Sequence, residues 1–146
     1  RKIDKKNLKQ VSEELRKELI QDGAVFKSDH SDSEVVLLGL SKYGLDYINK
    51  LDGQFAIFYI DIKISKAYLI RDRFGQKPLF FWRNSNKLFF ASEVKFFNIF
   101  GYSNKMDMNI WQNYLQFAKT DNTHNTFFKD ISKLLPGEFM IFKNLN

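Results

Sequence analysis

Not one of the 146 residues is a cysteine. Disulfides and thiolate-held metals are therefore excluded, and a reducing compartment, the cytoplasm, is the expected location. The chain has only two histidines, His30 and His124, far apart and without a local ligand partner; a metal site is not expected. No apolar run reaches membrane-spanning length and no signal-peptide pattern opens the chain, so no membrane partner is expected. No glycine-rich phosphate loop is present either, so these residues are not expected to hold ATP. The first residue is Arg1 rather than methionine. Simple initiator removal does not normally leave a bulky arginine, and the expectation is an excerpt of a longer protein.

What is present describes a globular chain. Hydrophobic residues make up 44% and charged residues 27%, and the length fits one domain able to bury a core. Sixteen phenylalanines point to a thick core between packed layers, since each aromatic side chain buries a large area. The formal net charge is +6, which raises the question of a nucleic-acid partner. The lysines are scattered from Lys2 to Lys143, and only Arg1, Lys2, Lys5, Lys6 and Lys9 cluster before acidic residues follow. A solvated basic surface is the better reading, and no nucleic-acid partner is expected.

Along the chain, Leu8, Val11, Leu15 and Leu19 give one apolar face at helical spacing, and Gly23 is suited to a left-handed cap. Ala24-Val-Phe26 is either a short strand or an extended link. Ser31-Asp-Ser-Glu34 reads as a capping box in which the serine oxygen accepts from an amide and Glu34 reaches back. The helix that it opens carries Val36, Leu40, Tyr43 and Tyr47 and ends before Asp52-Gly53.

The period then changes. Phe55-Ala-Ile-Phe-Tyr-Ile60 suits a strand covered on both faces, and Ala67–Ile70 a second strand. Leu79–Trp82 and Lys87–Ala91 form a hairpin across Arg83-Asn-Ser-Asn86. Short helices are expected near Glu93–Phe97 and Asn109–Phe117, and a last strand, Phe139–Phe142, after the Pro136-Gly137 turn. Helices first and consecutive antiparallel strands afterwards indicate an α+β fold.

Six blocks carry a resemblance: Glu14-Leu-Arg-Lys-Glu-Leu19, Ser31-Asp-Ser-Glu-Val35, Gly53-Gln-Phe-Ala56, Arg71-Asp-Arg-Phe-Gly-Gln-Lys-Pro-Leu79, Phe90-Ala-Ser-Glu-Val-Lys95 and Leu135-Pro-Gly137. In order and spacing they resemble the glutamine-hydrolysing domain of asparagine synthetase and other class II glutamine amidotransferases, from about Glu13 to Phe142. The Arg71–Leu79 block followed by Ala-Ser-Glu-x-Lys is the specific part. The same branch includes sugar amidotransferases of surface-polysaccharide pathways.

The resemblance implies that residues 1–146 are a partial amidotransferase domain. Its implied fold is a four-layer αββα sandwich of antiparallel sheets, as in N-terminal-nucleophile hydrolases, incomplete at its N-terminus. It implies glutamine as the small-molecule substrate. It also implies a C-terminal synthetase domain in the parent, where ATP and magnesium would act, and ammonia transfer to an acceptor such as aspartate.

By that resemblance Asp32 binds the α-amino group of glutamine, and a carboxylate at a helix N-terminus is a sensible partner for an ammonium. Arg71, Asp72 and Arg73 read as an ion-pair and hydrogen-bond frame rather than as acid–base catalysts. The family's nucleophile is an N-terminal cysteine, and its oxyanion is held by an Asn-Gly pair just before the first helix. Here there is no cysteine, and Lys6-Asn7 stands where the pair would be. No residue of this chain is therefore expected to be catalytic. Either the chain begins after the catalytic segment, or the parent is an inactive glutamine-sensing or interaction domain.

Overall fold

A computed structural model describes the backbone of residues 5–118 and 123–143, and the side chains of residues 12–118 and 123–143. Arg1 and Lys2 of the basic cluster, and the side chains of Leu8 and Val11, lie outside the described residues. The chain divides into two compact units, Arg1–Gly53 and Gln54–Asn146.

In Arg1–Gly53, helix α1 (Lys5–Gln21) buries Leu15 and Leu19, as their spacing predicts. It stops at a glycine cap. Gly23 takes φ 85°, its N–H donates to Ile20 O at 2.9 Å, and Ala24 N–H donates to Leu19 O at 2.8 Å. This pair of bonds satisfies carbonyls that the last helical turn leaves open. Ala24–Phe26 is a link between the helices rather than a strand.

Helix α2 (Asp32–Tyr43) is shorter than its apolar spacing predicts. Gly44 takes φ 65°, which ends the α ladder, and Gly44–Lys50 continues as a 3₁₀ helix. Tyr47 is still buried, while Tyr43 is exposed.

Among the described residues, Gln54–Asn146 contains two three-stranded antiparallel sheets. Strands β1 (Ala56–Asp61), β2 (Lys66–Arg71) and β6 (Phe139–Lys143) form the first, in the order β1-β2-β6. Strands β3 (Phe80–Asn84), β4 (Lys87–Ala91) and β5 (Ile131–Lys133) form the second, in the order β4-β3-β5. Leu69, Met140 and Phe142 of the first sheet pack with Phe81 and Leu88 of the second, around Leu79 and Leu134. On the opposite face of the second sheet, Trp82 and Ile131 pack with Phe97 and Tyr102. Alternation along β3 sends Phe81 to one cluster and Phe80 and Trp82 to the other, the period of a strand between two layers.

The observed architecture is α+β. Several local expectations are corrected. β1 pairs only with β2 among the described residues and leaves Phe58 and Ile60 exposed, so it is an edge strand and not one covered on both faces. The β3–β4 pairing runs to Asn84↔Lys87, which reduces the expected four-residue turn to Ser85-Asn86, with Ser85 at φ 51°. Both expected short helices are present: Val94–Phe100 is a 3₁₀ helix, and α3 (Met108–Phe117) follows an Asp107 cap whose carboxylate accepts from two amides. β5 has no counterpart in the sequence-based expectation.

Candidate functional site

Asp32 is the first residue of α2, and its side chain is exposed. The preceding residue, Ser31, is extended (φ −81°, ψ 110°) and caps the helix by accepting from the Glu34 N–H at 3.3 Å. That is half of the expected capping box. The other half is corrected: Glu34 does not return to the cap but gathers the segment before it. Its carboxylate accepts from the Lys27 N–H at 2.6 Å, the Ser28 N–H at 3.0 Å and the Ser28 hydroxyl at 2.5 Å. A turn between two helices leaves such amides without ladder partners, and a carboxylate one turn into α2 supplies the acceptors.

Two α1 residues complete the surroundings, and neither was singled out by sequence reasoning. Ser12 Oγ donates to Asp32 Oδ1 at 2.5 Å. Arg16 donates to Ser28 O at 2.6 Å and to Ser31 O at 3.1 Å. Ser12 and Arg16 are four residues apart and share a helix face. Arg16 falls inside the Glu14–Leu19 block and Ser12 one turn before it, which was the available clue, but that spacing does not reveal which carbonyls the arginine would meet.

The hydrogen bonds from the Ser28 hydroxyl and the Lys27 amide hold the Glu34 carboxyl below its ordinary 4.5. A carboxyl depressed in the folded state adds stability above the ordinary carboxylate range and loses it as pH falls through the lowered value. The Lys27 and Ser28 amide resonances are therefore expected to shift, and to lose exchange protection, only below the usual carboxylate pKa. Glu34→Gln should remove that acid transition. NMR titration checks this; transitions at Lys27 and Ser28 that persist in Glu34→Gln would refute it.

In the other unit Arg71 ends β2 and Asp72 follows it, and both are buried. The Arg71 guanidinium donates to the carbonyls of Lys77 at 2.8 Å, Leu134 at 2.5 Å and Gly75 at 2.7 Å. Asp72 accepts from four backbone amides: Phe74 at 3.1 Å, Gln76 at 2.9 Å, Lys77 at 2.9 Å and Phe55 at 3.4 Å. Gly75 must be glycine twice over. It takes φ 61°, and an added Cβ would lie 2.8 Å from the Pro136 ring and 3.1 Å from the Arg71 guanidinium.

The two charged groups are thus consumed in tying a turn and the Leu134–Gly137 segment together. The frame is built of hydrogen bonds to the backbone; the expected ion pair does not form among the described residues, and Arg73 is exposed. Neither Arg71 nor Asp72 is placed to exchange protons with a substrate.

Lys6 and Asn7 fall inside α1, not before it. Among the described residues no group of three His, Cys, Asp or Glu side chains could hold a metal ion, and no helix is long and apolar enough to cross a membrane.

Residues 11–146 match the model of a family described as "Glutamine amidotransferase domain". Among curated proteins the chain is 34% identical over 112 residues to the amidase chry2 of Gibberella zeae, covering 77% of this chain and 16% of that protein. Over 124 residues it is 32% identical to the glutamine-hydrolysing asparagine synthetase 1 of Bacillus subtilis, covering 85% of this chain and 19% of the relative. Asparagine synthetase 2 of the same organism is 30% identical over 117 residues, with 75% and 15% covered. The chain therefore spans less than one fifth of the length of these relatives. The chain belongs to the glutamine amidotransferase domain family.

Proposed function

We propose that this chain is part of an asparagine synthetase-like glutamine amidotransferase, in which it binds glutamine through Asp32. The whole protein hydrolyses glutamine and passes the ammonia to an ATP-activated acceptor such as aspartate, in the cytoplasm. Residues 1–146 belong to one amidotransferase domain of the four-layer αββα kind, with the two sheets of Gln54–Asn146 as its ββ core. ATP and magnesium belong to a synthetase domain of the parent. The residues here do not suit them, having no phosphate-binding glycine loop and, among the described residues, no metal-binding group.

The observation that carries the reading is the exposed Asp32 carboxylate on the first turn of α2, in a chain of this family. Its Oδ1 accepts one hydroxyl, from Ser12, which leaves lone pairs on both oxygens for the α-ammonium of glutamine. The helix N-terminus favours negative charge there, and the pairing is charge-assisted.

Hydrolysis is assigned to no residue of this chain. The lack of cysteine, together with Lys6-Asn7 inside α1, favours glutamine binding without turnover by these residues themselves. That is also the behaviour of a glutamine-sensing domain.

Isothermal titration with glutamine tests the reading. Asp32→Asn keeps the size and removes the charge, and is expected to weaken glutamine by about tenfold or more, the loss of one charge-assisted hydrogen bond. Unchanged affinity in that variant would sink the assignment. Glutamate release by the isolated chain would sink the non-hydrolysing part of the proposal.

A further inference from the structure

We infer that Arg16 is a positioning residue for Asp32, fixing the segment that leads into α2 and so the place and direction of the Asp32 carboxylate. The inference rests on the reading of Asp32 as the glutamine contact.

The guanidinium spends its two terminal nitrogens on carbonyls three residues apart, Ser28 O at 2.6 Å and Ser31 O at 3.1 Å. It also lies over the Phe26 ring, 4.1 Å from the centroid. One rigid planar group thus fixes the segment at both ends of its final turn. Lysine, with a single flexible ammonium, has no such fork.

The Ser31 carbonyl that Arg16 holds is also the acceptor for the first amides of α2, Glu34 N–H at 3.2 Å and Val35 N–H at 3.4 Å. Asp32 is the next residue along. A shift of that peptide therefore moves the Asp32 Cα directly, with no intervening soft torsion beyond Asp32's own. Glu34 fastens the same segment from its amide side, at Lys27 and Ser28. Ser12, one turn before Arg16 on α1, takes Asp32 Oδ1 itself. Three α1 contacts (Ser28 O, Ser31 O and Asp32 Oδ1) thus register the carboxylate against one helix face. Arg16 supplies two of them without touching Asp32. A charge-assisted contact to an ammonium is sensitive to that register, because the contact is short and directional.

A purely structural role predicts a different outcome, and the difference is readable. Glutaramate is glutamine without the α-ammonium, so it makes no contact with Asp32 on this reading. Titration of the wild-type chain, Asp32→Asn, Arg16→Gln and Arg16→Lys with both ligands separates the cases. Both Arg16 variants are expected to weaken glutamine by about tenfold while changing glutaramate by less than about twofold, so that the preference for the ammonium collapses as in Asp32→Asn.

Where circular dichroism shows an Arg16 variant to be unfolded, Glu34→Gln takes its place. It loosens the same segment from the other side and is expected to lower the preference in the same direction. Equal weakening of both ligands, or an unchanged preference in folded variants whose Asp32→Asn counterpart loses it, would show Arg16 to be structural only and overturn the inference. A preference that survives Asp32→Asn would instead remove the Asp32 reading, and the role of Arg16 with it.

Discussion

Replacing Asp72 with asparagine is expected to destabilise Gln54–Asn146 by about 3–5 kcal/mol, a large part of the stability of an ordinary domain. The side chain is completely buried and accepts from the amides of Phe55, Phe74, Gln76 and Lys77. Asparagine has the same shape, but one of its two terminal atoms is a donor. That atom would face two N–H groups, Phe74 and Gln76 on the Oδ1 side or Phe55 and Lys77 on the Oδ2 side. In either orientation two of the amides around the buried side chain lose their acceptor, and the two that remain lose the charge. Each orphaned amide costs roughly 1–3 kcal/mol, and the charge-assisted bonds are about twice as strong as neutral ones.

The damage would spread beyond the turn. The Asp72 carbonyl also accepts from Gly75 and Gly137, each at 2.9 Å, and the Asp72 N–H donates to Phe55 O at 3.0 Å. Both tryptophans, Trp82 and Trp111, lie in this unit, so fluorescence-detected urea unfolding reports on it. The midpoint should fall sharply. The exposed neighbour Arg73→Ala should stay within about 0.5 kcal/mol of wild type. A small loss for Asp72→Asn, of about 1 kcal/mol or less, would mean that the buried acceptor is not what holds the turn.

How much of this was legible in the sequence depends on the range of each interaction. The Gly23 cap, the Ser31 cap and the β3–β4 pairing were readable, because each is decided within a few residues by φ requirements or by alternation. The α+β class followed from the order of those elements. The end of α2 was not readable from apolar spacing, since a 3₁₀ turn after Gly44 buries Tyr47 as a continued helix would.

β5 was missed for a different reason. Ile131-Ser-Lys133 has three residues and no apolar run, and it becomes a strand through pairing with β3 about fifty residues earlier. At the candidate site, Asp32 and its place at the head of a helix could be read directly. Its support could not: Glu34 was free to choose between the cap amide and the amides at Lys27 and Ser28, and only the folded turn decides. The partners of Arg16 lie 12 and 15 residues away, beyond any local pattern.

Gly39→Ala should destabilise Arg1–Gly53 although it places the best helix former in the middle of α2. On propensity alone the change would stabilise the helix by about 1 kcal/mol. The added Cβ, however, would stand 1.9 Å from Tyr47 Cε1 and 2.2 Å from Tyr47 Cζ. The ring is almost fully buried, and burial pushes its phenol pKa above the ordinary 10, with the Glu18 charge adding to the shift. The Tyr47 hydroxyl is buried without a partner among the described residues, so no hydrogen bond rewards the present position; the shape of the glycine does.

To admit a methyl group the ring must leave its site or the 3₁₀ helix that carries it must move, and overpacking of this kind costs about 1–3 kcal/mol or more. The net loss should be about 2 kcal/mol once the propensity gain is subtracted. Helices α1 and α2 contain 17 and 12 residues against 10 in α3, so the helical circular dichroism signal reports mainly on this unit. Tyr47→Leu removes the obstructing ring edge. In that background Gly39→Ala should become neutral or stabilising, giving a coupling energy of about 2–3 kcal/mol in the double-mutant cycle. Additive effects would show that Gly39 is needed for some reason other than the tyrosine ring packed upon it.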